Sequence, residues 1–205
     1  MHPGGLRLTD RAVRLAGLDA GMLVADIGCG AGITSSYLTS KFGLSMIGLD
    51  ISSALIEAGI ERYPGLRLIR WDGETLPFED GCLDALVIEC ALSVIGPTES
   101  ILTECARALK KAGSLIVSEV VSRREPASGD GQLLSEAGLV KLLSNAGFHV
   151  VIHEDHTPAL RTYVAQLREQ NGLDFNANLL LGETCLKSHL KLSDFGYVLM
   201  IAAKL

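Results

Sequence analysis

The segment Val24-Ala25-Asp26-Ile27-Gly28-Cys29-Gly30-Ala31-Gly32 constrains this chain more than any other. A short apolar run ends at a glycine-rich turn that opens directly into a helix-compatible stretch. Glycines let the backbone turn tightly and let a ligand approach the main chain without meeting a Cβ. The expectation is therefore a strand, a turn and a helix with a small molecule bound at the turn. A dinucleotide fingerprint reads G-x-G-x-x-G; counted from Gly28 its sixth position is Ile33, and the third glycine, Gly32, comes one residue early. That spacing speaks against NAD. So does Asp26, because a diphosphate at a helix N-terminus prefers positive potential, whereas an acid suits a ligand that carries a cation.

Along the rest of the chain, short β-rich runs alternate with amphipathic stretches, the pattern of a parallel sheet covered by helices on both faces. Strands are expected near Met22–Ile27, Ser45–Leu49, Leu66–Trp71, Ala85–Glu89, Ser114–Val120, Phe148–His153 and Tyr197–Ala203. Helices are expected over Thr9–Leu18, Gly32–Phe42, Ser53–Tyr63, Glu99–Lys110 and Ser135–Ala146, the last stopped by Gly147. The stretch from Asp155 to Asp194 is too long for a bare connection. It should carry at least one helix, with Thr157 as N-cap, Pro158 in the first turn and Gly172 as the stop. The segment Ser122–Gly131 reads as a linker.

With 205 residues against about 150 per domain, one elaborated domain spanning 1–205 is expected rather than two. Lysine and arginine total 18 against 24 acids, a net charge of −6 without a concentrated basic patch, so nucleic acid is not an expected partner. No charged start followed by an apolar stretch marks a secretory leader. Asp84 and Glu89 interrupt the most hydrophobic region, so no membrane span is expected and the location read is cytoplasmic. The five cysteines, Cys29, Cys82, Cys90, Cys105 and Cys185, form no close C-x-x-C pair and read as reduced thiols.

Two further acids end the next two strands: Asp50 follows Met46-Ile47-Gly48-Leu49 and Asp72 follows Leu68-Ile69-Arg70-Trp71. Their intervals, 24 and 22 residues, each match one strand, helix and turns of a parallel unit, which brings Asp26, Asp50 and Asp72 to the sheet rim where ligands bind. A ligand with a cationic amine, vicinal hydroxyls and an amino-purine fits such a row. S-adenosylmethionine has all three.

At this point the chain resembles the class I S-adenosylmethionine-dependent methyltransferases, in particular the small-molecule group called type 11. The matching pieces are Asp26 to Gly32, Gly48-Leu49-Asp50, Asp72-Gly73-Glu74-Thr75-Leu76-Pro77-Phe78 with Asp84, Leu109 to Gly113, and Gly147-Phe148. The likeness covers about Leu18 to Val151 and the last strand. Leu83 departs from a usual Phe, and Lys111-Ala112 from a usual Pro-Gly. The resemblance implies a Rossmann-like α/β fold with a seven-stranded, mostly parallel sheet in the order 3-2-1-4-5-7-6. The last inserted strand is then expected to be antiparallel; the stretch 155–194 lies outside the resemblance and is expected, from its length and pattern, to be a helical insert between strands 6 and 7 that serves as a substrate lid. The resemblance implies that Asp26, Gly28, Cys29, Gly30 and Gly32 hold the methionine end, that Asp50 with Ile51 binds the ribose, that Asp72 and Gly73 border the adenine, and that Glu89 and Cys90 lie beneath the sulfonium. It further implies that Gly4 to Thr9 close over the methionine end; Thr9 also reads as a helix cap.

Other residues leave alternatives open. Cys90 ends the fourth strand where arsenite methyltransferases carry a metalloid-binding cysteine, yet a free cysteine is more often a small buried apolar residue. His153 and His156 are substrate-side candidates for a general base, and no set of metal ligands at a known spacing accompanies them. Tyr37 and Lys41 match a dehydrogenase Y-x-x-x-K pattern at the wrong place in the chain. The expected activity is in-line methyl transfer to a small-molecule acceptor, releasing S-adenosylhomocysteine. The alternatives are an arsenite- or thiol-type methyltransferase using Cys90, a non-catalytic S-adenosylmethionine-binding module, and an oxidoreductase. The absence of an Asn-Pro-Pro-aromatic stretch at Glu89-Cys90-Ala91-Leu92 argues against methylation of nucleic-acid bases. The sequence names neither the acceptor nor the oligomeric state.

Overall fold

A computed structural model of the protein describes residues 2–124, 134–171 and 191–205. The chain begins with helix α1 (Gly5–Leu15) and enters β1 (Leu23–Ile27), α2 (Ile33–Phe42), β2 (Ser45–Asp50), α3 (Ser53–Arg62) and β3 (Arg67–Arg70). It returns through β4 (Leu83–Glu89), a one-turn α4 (Leu92–Ile95), α5 (Thr98–Ala108), β5 (Leu109–Ser122), α6 (Glu136–Asn145) and β6 (Phe148–Asp155). Helix α7 (Thr157–Asn171), a short 3-10 turn and β7 (Phe195–Lys204) complete it.

The seven strands form one sheet in the order β3-β2-β1-β4-β5-β7-β6. Pairing is parallel except along β7, which runs antiparallel to both neighbours, β5 and β6. The fold expected from the sequence is the fold observed, a Rossmann-like class I methyltransferase sheet. Its direction of winding reverses between β1 and β4. The chain moves outward from β1 to β3 and then comes back to lay β4 against β1, in register from Val24 opposite Ala85 to Ile27 opposite Ile88. Neither crossover can fill the space above the carboxyl ends of these two strands, and a crevice opens there.

Both central strands are buried on both faces, which is why, Asp26, Asp84 and the terminal Glu89 apart, they read as apolar runs rather than alternating ones. Their side chains feed two cores. Ala25, Ile27, Leu86 and Ile88 face α5 and α6 through Leu102, Leu139 and Leu143. Val24, Ala85 and Val87 face α1, α2 and α7 through Ala12, Leu38, Leu160 and Val164. Each fully buried aliphatic side chain contributes about 1.5–3 kcal/mol.

Local signals set most helix ends. Ser52 and Ser135 cap α3 and α6 by accepting from Leu55 N and Gly138 N at 3.3 and 3.1 Å. Gly43 and Gly147 stop α2 and α6 in left-handed conformation, with φ of 66° and 87°.

Several expectations are corrected. The first helix begins at Gly5, one turn before Thr9, so Thr9 lies inside the helix and caps nothing; its N-cap, Gly4, offers no side chain. Helix α5 ends at Ala108, and Leu109 to Lys111 belong to the strand, because Leu109 already pairs with Leu83 before a bulge restores register at Ala85. That bulge turns through Ala112 at φ +59°. Strand β5 continues to Ser122, so the linker expected at Ser122 begins at the end of a strand; its residues 125–131 lie outside the described residues. Thr157 is the first residue of α7 and its own N–H is held by Asp155 Oδ1 at 2.8 Å, while its hydroxyl accepts from Tyr197 N at 3.1 Å and from Arg123. The rest of the expected lid, 172–190, with Cys185 and the Gly172 stop, lies outside the described residues. Among the described residues no helix is long and apolar enough to cross a membrane.

Candidate functional site

A cleft of about 400 Å³ opens above the carboxyl ends of β1 and β4. Asp26, Gly28, Cys29, Gly30, Glu89 and Cys90 line it, joined by His2 and by Thr34 from the first turn of α2.

The turn is bare because the packing around it leaves no choice. Gly28 N and Cys29 N both donate to Leu49 O, at 2.8 and 3.0 Å, which folds the turn back over β2. A Cβ on Gly28 would stand 2.3 Å from the Ala91 Cβ, and φ there is +76°. Gly30, by contrast, faces open space, with nothing within 4 Å of its Cβ position. Gly32 starts α2 at φ +76° and packs on Leu66 and Leu68, away from the cleft.

Asp26 is 2% exposed and accepts from Ser35 Oγ at 2.7 Å. Burial, with the charge of Glu89 adding to it, pushes its carboxyl up to about 7. An acid whose charge is so poorly compensated is an incomplete site for a cation. Glu89 is better satisfied: Oε1 accepts from Thr9 at 2.8 Å, and Oε2 accepts from Thr34 at 2.9 Å and faces His2 Nε2 at 3.2 Å. The amino-terminal segment therefore does reach the cleft, through His2 and Thr9. Thr9 makes its contact from within α1, and His2 from the residues just before that helix.

Asp50 lies at the rim beside the turn. Its Oδ2 accepts from Gly30 N and its Oδ1 from Ser52 N, both at 2.8 Å, which leaves each oxygen a second lone pair. Farther out, Gly73 stands beside Ile51 and Ile95; its Cβ position is 3.6 Å from Ile51 Cγ2 and 3.5 Å from Ile95 O. Ile51 is 48% exposed, a large apolar side chain left uncovered at the same rim. Asp72 is exposed and accepts from Glu74 N at 2.9 Å, shaping the turn that carries Gly73. The structure thus brings Asp26, Gly28, Cys29, Gly30, Glu89 and Cys90 around one cavity, and sets Asp50, Ile51, Asp72 and Gly73 along its outer edge.

Cys90, His153 and His156 lie in three different settings. The Cys90 Sγ donates toward the Tyr197 hydroxyl at 3.6 Å, and burial holds its thiol well above its ordinary value, so it is a protonated, non-nucleophilic group. Among the described residues no three histidine, cysteine or acidic side chains come together as a metal site. His153 is on the outermost strand, β6, facing Glu136 at 3.0 Å, and lines neither the cleft nor the groove between α1 and α7. His156 is held by Glu154 Oε2 at 2.9 Å and lines a different groove, between α1 and α7. Tyr37 and Lys41 have no catalytic setting either. With Asp10 they clip α2 to α1, through hydrogen bonds of 2.7 and 3.1 Å at the Tyr37 hydroxyl.

Three contributors escaped sequence reasoning. His2 precedes every recognisable pattern, and Thr34 is one of several polar residues after the turn. Glu119 lies in mid-strand on β5, where an apolar residue is the rule. Its buried carboxylate accepts from Leu92 N at 2.9 Å, from Ser93 N and Oγ at 3.3 and 3.2 Å, and from Val120 N at 3.0 Å. It thereby anchors α4, the element that lies over Gly28, and burial pushes it up to about 7. A lone acid between the apolar runs Leu115-Ile116-Val117 and Val120-Val121 is the available signal. Cys90, at the junction of β4 and this turn, takes a left-handed φ of 51°.

Comparison with known proteins agrees with this geometry. A type 11 family model, described as a methyltransferase domain, matches residues 25–117. A demethylmenaquinone methyltransferase of Beutenbergia cavernae is 34% identical over 115 residues, which make up 54% of this chain and 48% of that protein. The chain spans about half the length of the curated relatives it matches most strongly. Among solved structures, phosphoethanolamine N-methyltransferase 2 of Haemonchus contortus in complex with S-adenosyl-L-methionine superposes with a TM-score of 0.79 at 19% identity, over 99% of this chain and 53% of that one. The cyclase SpnF superposes with a TM-score of 0.76 at 22% identity, over 97% and 80%. These likenesses are of fold, and a fold hosts more than one chemistry. Together with the sheet order and the glycine turn, the matches liken residues 25–117 to a type 11 methyltransferase domain, and the fold is that of the class I S-adenosylmethionine-dependent methyltransferases.

Proposed function

We propose that the protein transfers a methyl group from S-adenosylmethionine to a small-molecule acceptor, working in the cytoplasm as one domain over residues 1–205. The observation that carries this reading is Asp26: a buried, under-compensated acid at the floor of the cleft, directly beside the open face of Gly30. The residues present fit the cofactor. Asp26 and Glu89 offer negative charge to an ammonium group, Asp50 keeps free lone pairs for hydroxyls, and Ile51 with Gly73 presents an uncovered apolar surface to a flat base. When bound, S-adenosylmethionine supplies an already activated methyl group.

The chain's own residues then have alignment as their main task. The glycine turn and α4 fix one wall of the cleft, Glu89 ties α1 and α2 across it, and Leu6, Ile33 and Leu55 give the lining apolar surface that disfavours water. For an in-line displacement, orientation and exclusion of solvent account for most of the barrier lowering. No side chain of the cleft is assigned as a base: Cys90 is protonated and His153 is remote. The net charge of −6 favours a small molecule over nucleic acid.

Calorimetry with S-adenosylmethionine, S-adenosylhomocysteine, NAD and NADP tests the cofactor. Binding of the first two, weakened about tenfold or more in Asp50→Ala, is expected; tight binding of NAD or NADP alone would end the proposal. Release of S-adenosylhomocysteine across a metabolite panel, including arsenite with thiols, separates an enzyme from a module that only binds.

A further inference from the structure

Beside the cleft runs a groove of about 770 Å³ between α1 and α7. We propose that this groove is the methyl-acceptor site and that it selects a small anionic acceptor through Arg7; the assignment rests on the methyltransferase reading above.

The groove is contiguous with the cleft through the first turn of α1. His2 lines both cavities, Leu6 lines the cleft, and the next residue, Arg7, lines the groove. His2 Nε2, which lines the groove, faces Glu89 Oε2 of the cleft at 3.2 Å. A molecule lying in the groove therefore has one end near the place where Glu89 and Cys90 border the cofactor space.

The charge of the lining decides the class of molecule. Among the described residues its ionisable side chains are His2, Arg7, Arg11, His156 and Tyr163, with no carboxylate, in a chain that carries 24 acids. The nearby acid, Glu154, is fully engaged: Arg11 grips both its oxygens and His156 bonds one of them. Arg7 is different. It is exposed, and among the described residues its guanidinium has neither a hydrogen bond nor an ion pair. A planar donor fork with no internal partner is suited to a carboxylate or phosphate, which it can hold through two parallel bonds. Leu8, Ala159, Tyr163 and Leu167 supply apolar contact for a short carbon skeleton.

The test uses hexanoate, hexyl phosphate and hexanol as probes, titrated calorimetrically into the full chain saturated with S-adenosylhomocysteine. Both anions are expected to bind about tenfold more tightly than hexanol, and the tighter of the two identifies the head group. Arg7→Gln should abolish the difference and Arg7→Lys retain part of it, with S-adenosylhomocysteine affinity unchanged in both. Equal binding of hexanol, absence of anion binding, or anion affinity insensitive to Arg7→Gln would each overturn the proposal. If the wild-type chain binds the anions through Arg7 but fails to bind S-adenosylhomocysteine, the methyltransferase reading falls and the anion preference of the groove stands.

Discussion

Thr9 Oγ1 donates to Glu89 Oε1 across 2.8 Å, joining the middle of α1 to the last residue of β4. The bond couples the placement of the first helix to the floor of the cleft. Thr9→Val keeps the shape and leaves a nearly buried carboxylate oxygen without its donor, a loss of about 1–3 kcal/mol. Urea denaturation should show that decrease, and S-adenosylhomocysteine affinity should fall with it, because Glu89 is then free to turn.

Asp26 makes ligand binding depend on pH with a defined sign. Its carboxyl is held at about 7, so below that pH it is mostly neutral and offers a cation nothing. Affinity for S-adenosylhomocysteine should rise as pH increases through 7 and level off above it, and Asp26→Asn should bind weakly with a flat profile between pH 5.5 and 8.5. Stability moves the other way. A carboxyl whose folded value lies above its unfolded value of 3.8 imposes no penalty below that value, and a growing one as pH rises toward 7. Asp26→Asn should therefore be more stable than wild type at pH 8, by on the order of 4 kcal/mol, measured as urea stability without ligand.

Glu119→Ala removes the acceptor for four donors at once, three of them on the first residues of α4. Loss of a buried, hydrogen-bonded charge costs about 3 kcal/mol or more. Thermal unfolding should show the drop. In a stabilising osmolyte, the folded variant should still bind S-adenosylhomocysteine less well, since α4 covers Gly28.

Ala112 occupies a left-handed position, φ +59°, in the bulge that opens β5. Ala112→Gly relieves that strain and should raise stability by about 1 kcal/mol without altering cofactor affinity. The neighbouring Gly113 is not interchangeable with it, since a Cβ there would lie 2.9 Å from Lys110 O.

The sheet was legible because its signals are local and repeated. Ala85 to Ile88 is apolar throughout and Val24 to Ile27 is apolar but for Asp26, as doubly covered strands require away from a site, and Gly147 marks a helix end by its own conformational preference. The position of β7 between β5 and β6 came from likeness to a family, since no residue pattern dictates strand order. The cleft was legible where backbone conformation requires a particular residue, as at Gly28. It was illegible where side chains meet across long sequence distances: Thr9 with Glu89, Glu119 with Ser93, His2 with both cavities. Thr9 shows the limit well, because its residue type suits a cap and only the earlier start of α1, at Gly5, turns it to another use. His153 and His156 looked equivalent by composition, yet the sheet edge separates them, one facing Glu136 and the other the groove.

Strand β7 lies between two strands that precede it in the chain. During synthesis β5 and β6 must therefore emerge, and remain unjoined, until residues 195–204 leave the ribosome and slide between them. Two apolar strand borders stay open for that interval, which is the condition under which nascent chains pair with the wrong neighbour. Truncation before Phe195 should thus yield a sticky, chaperone-dependent fragment rather than a smaller working enzyme.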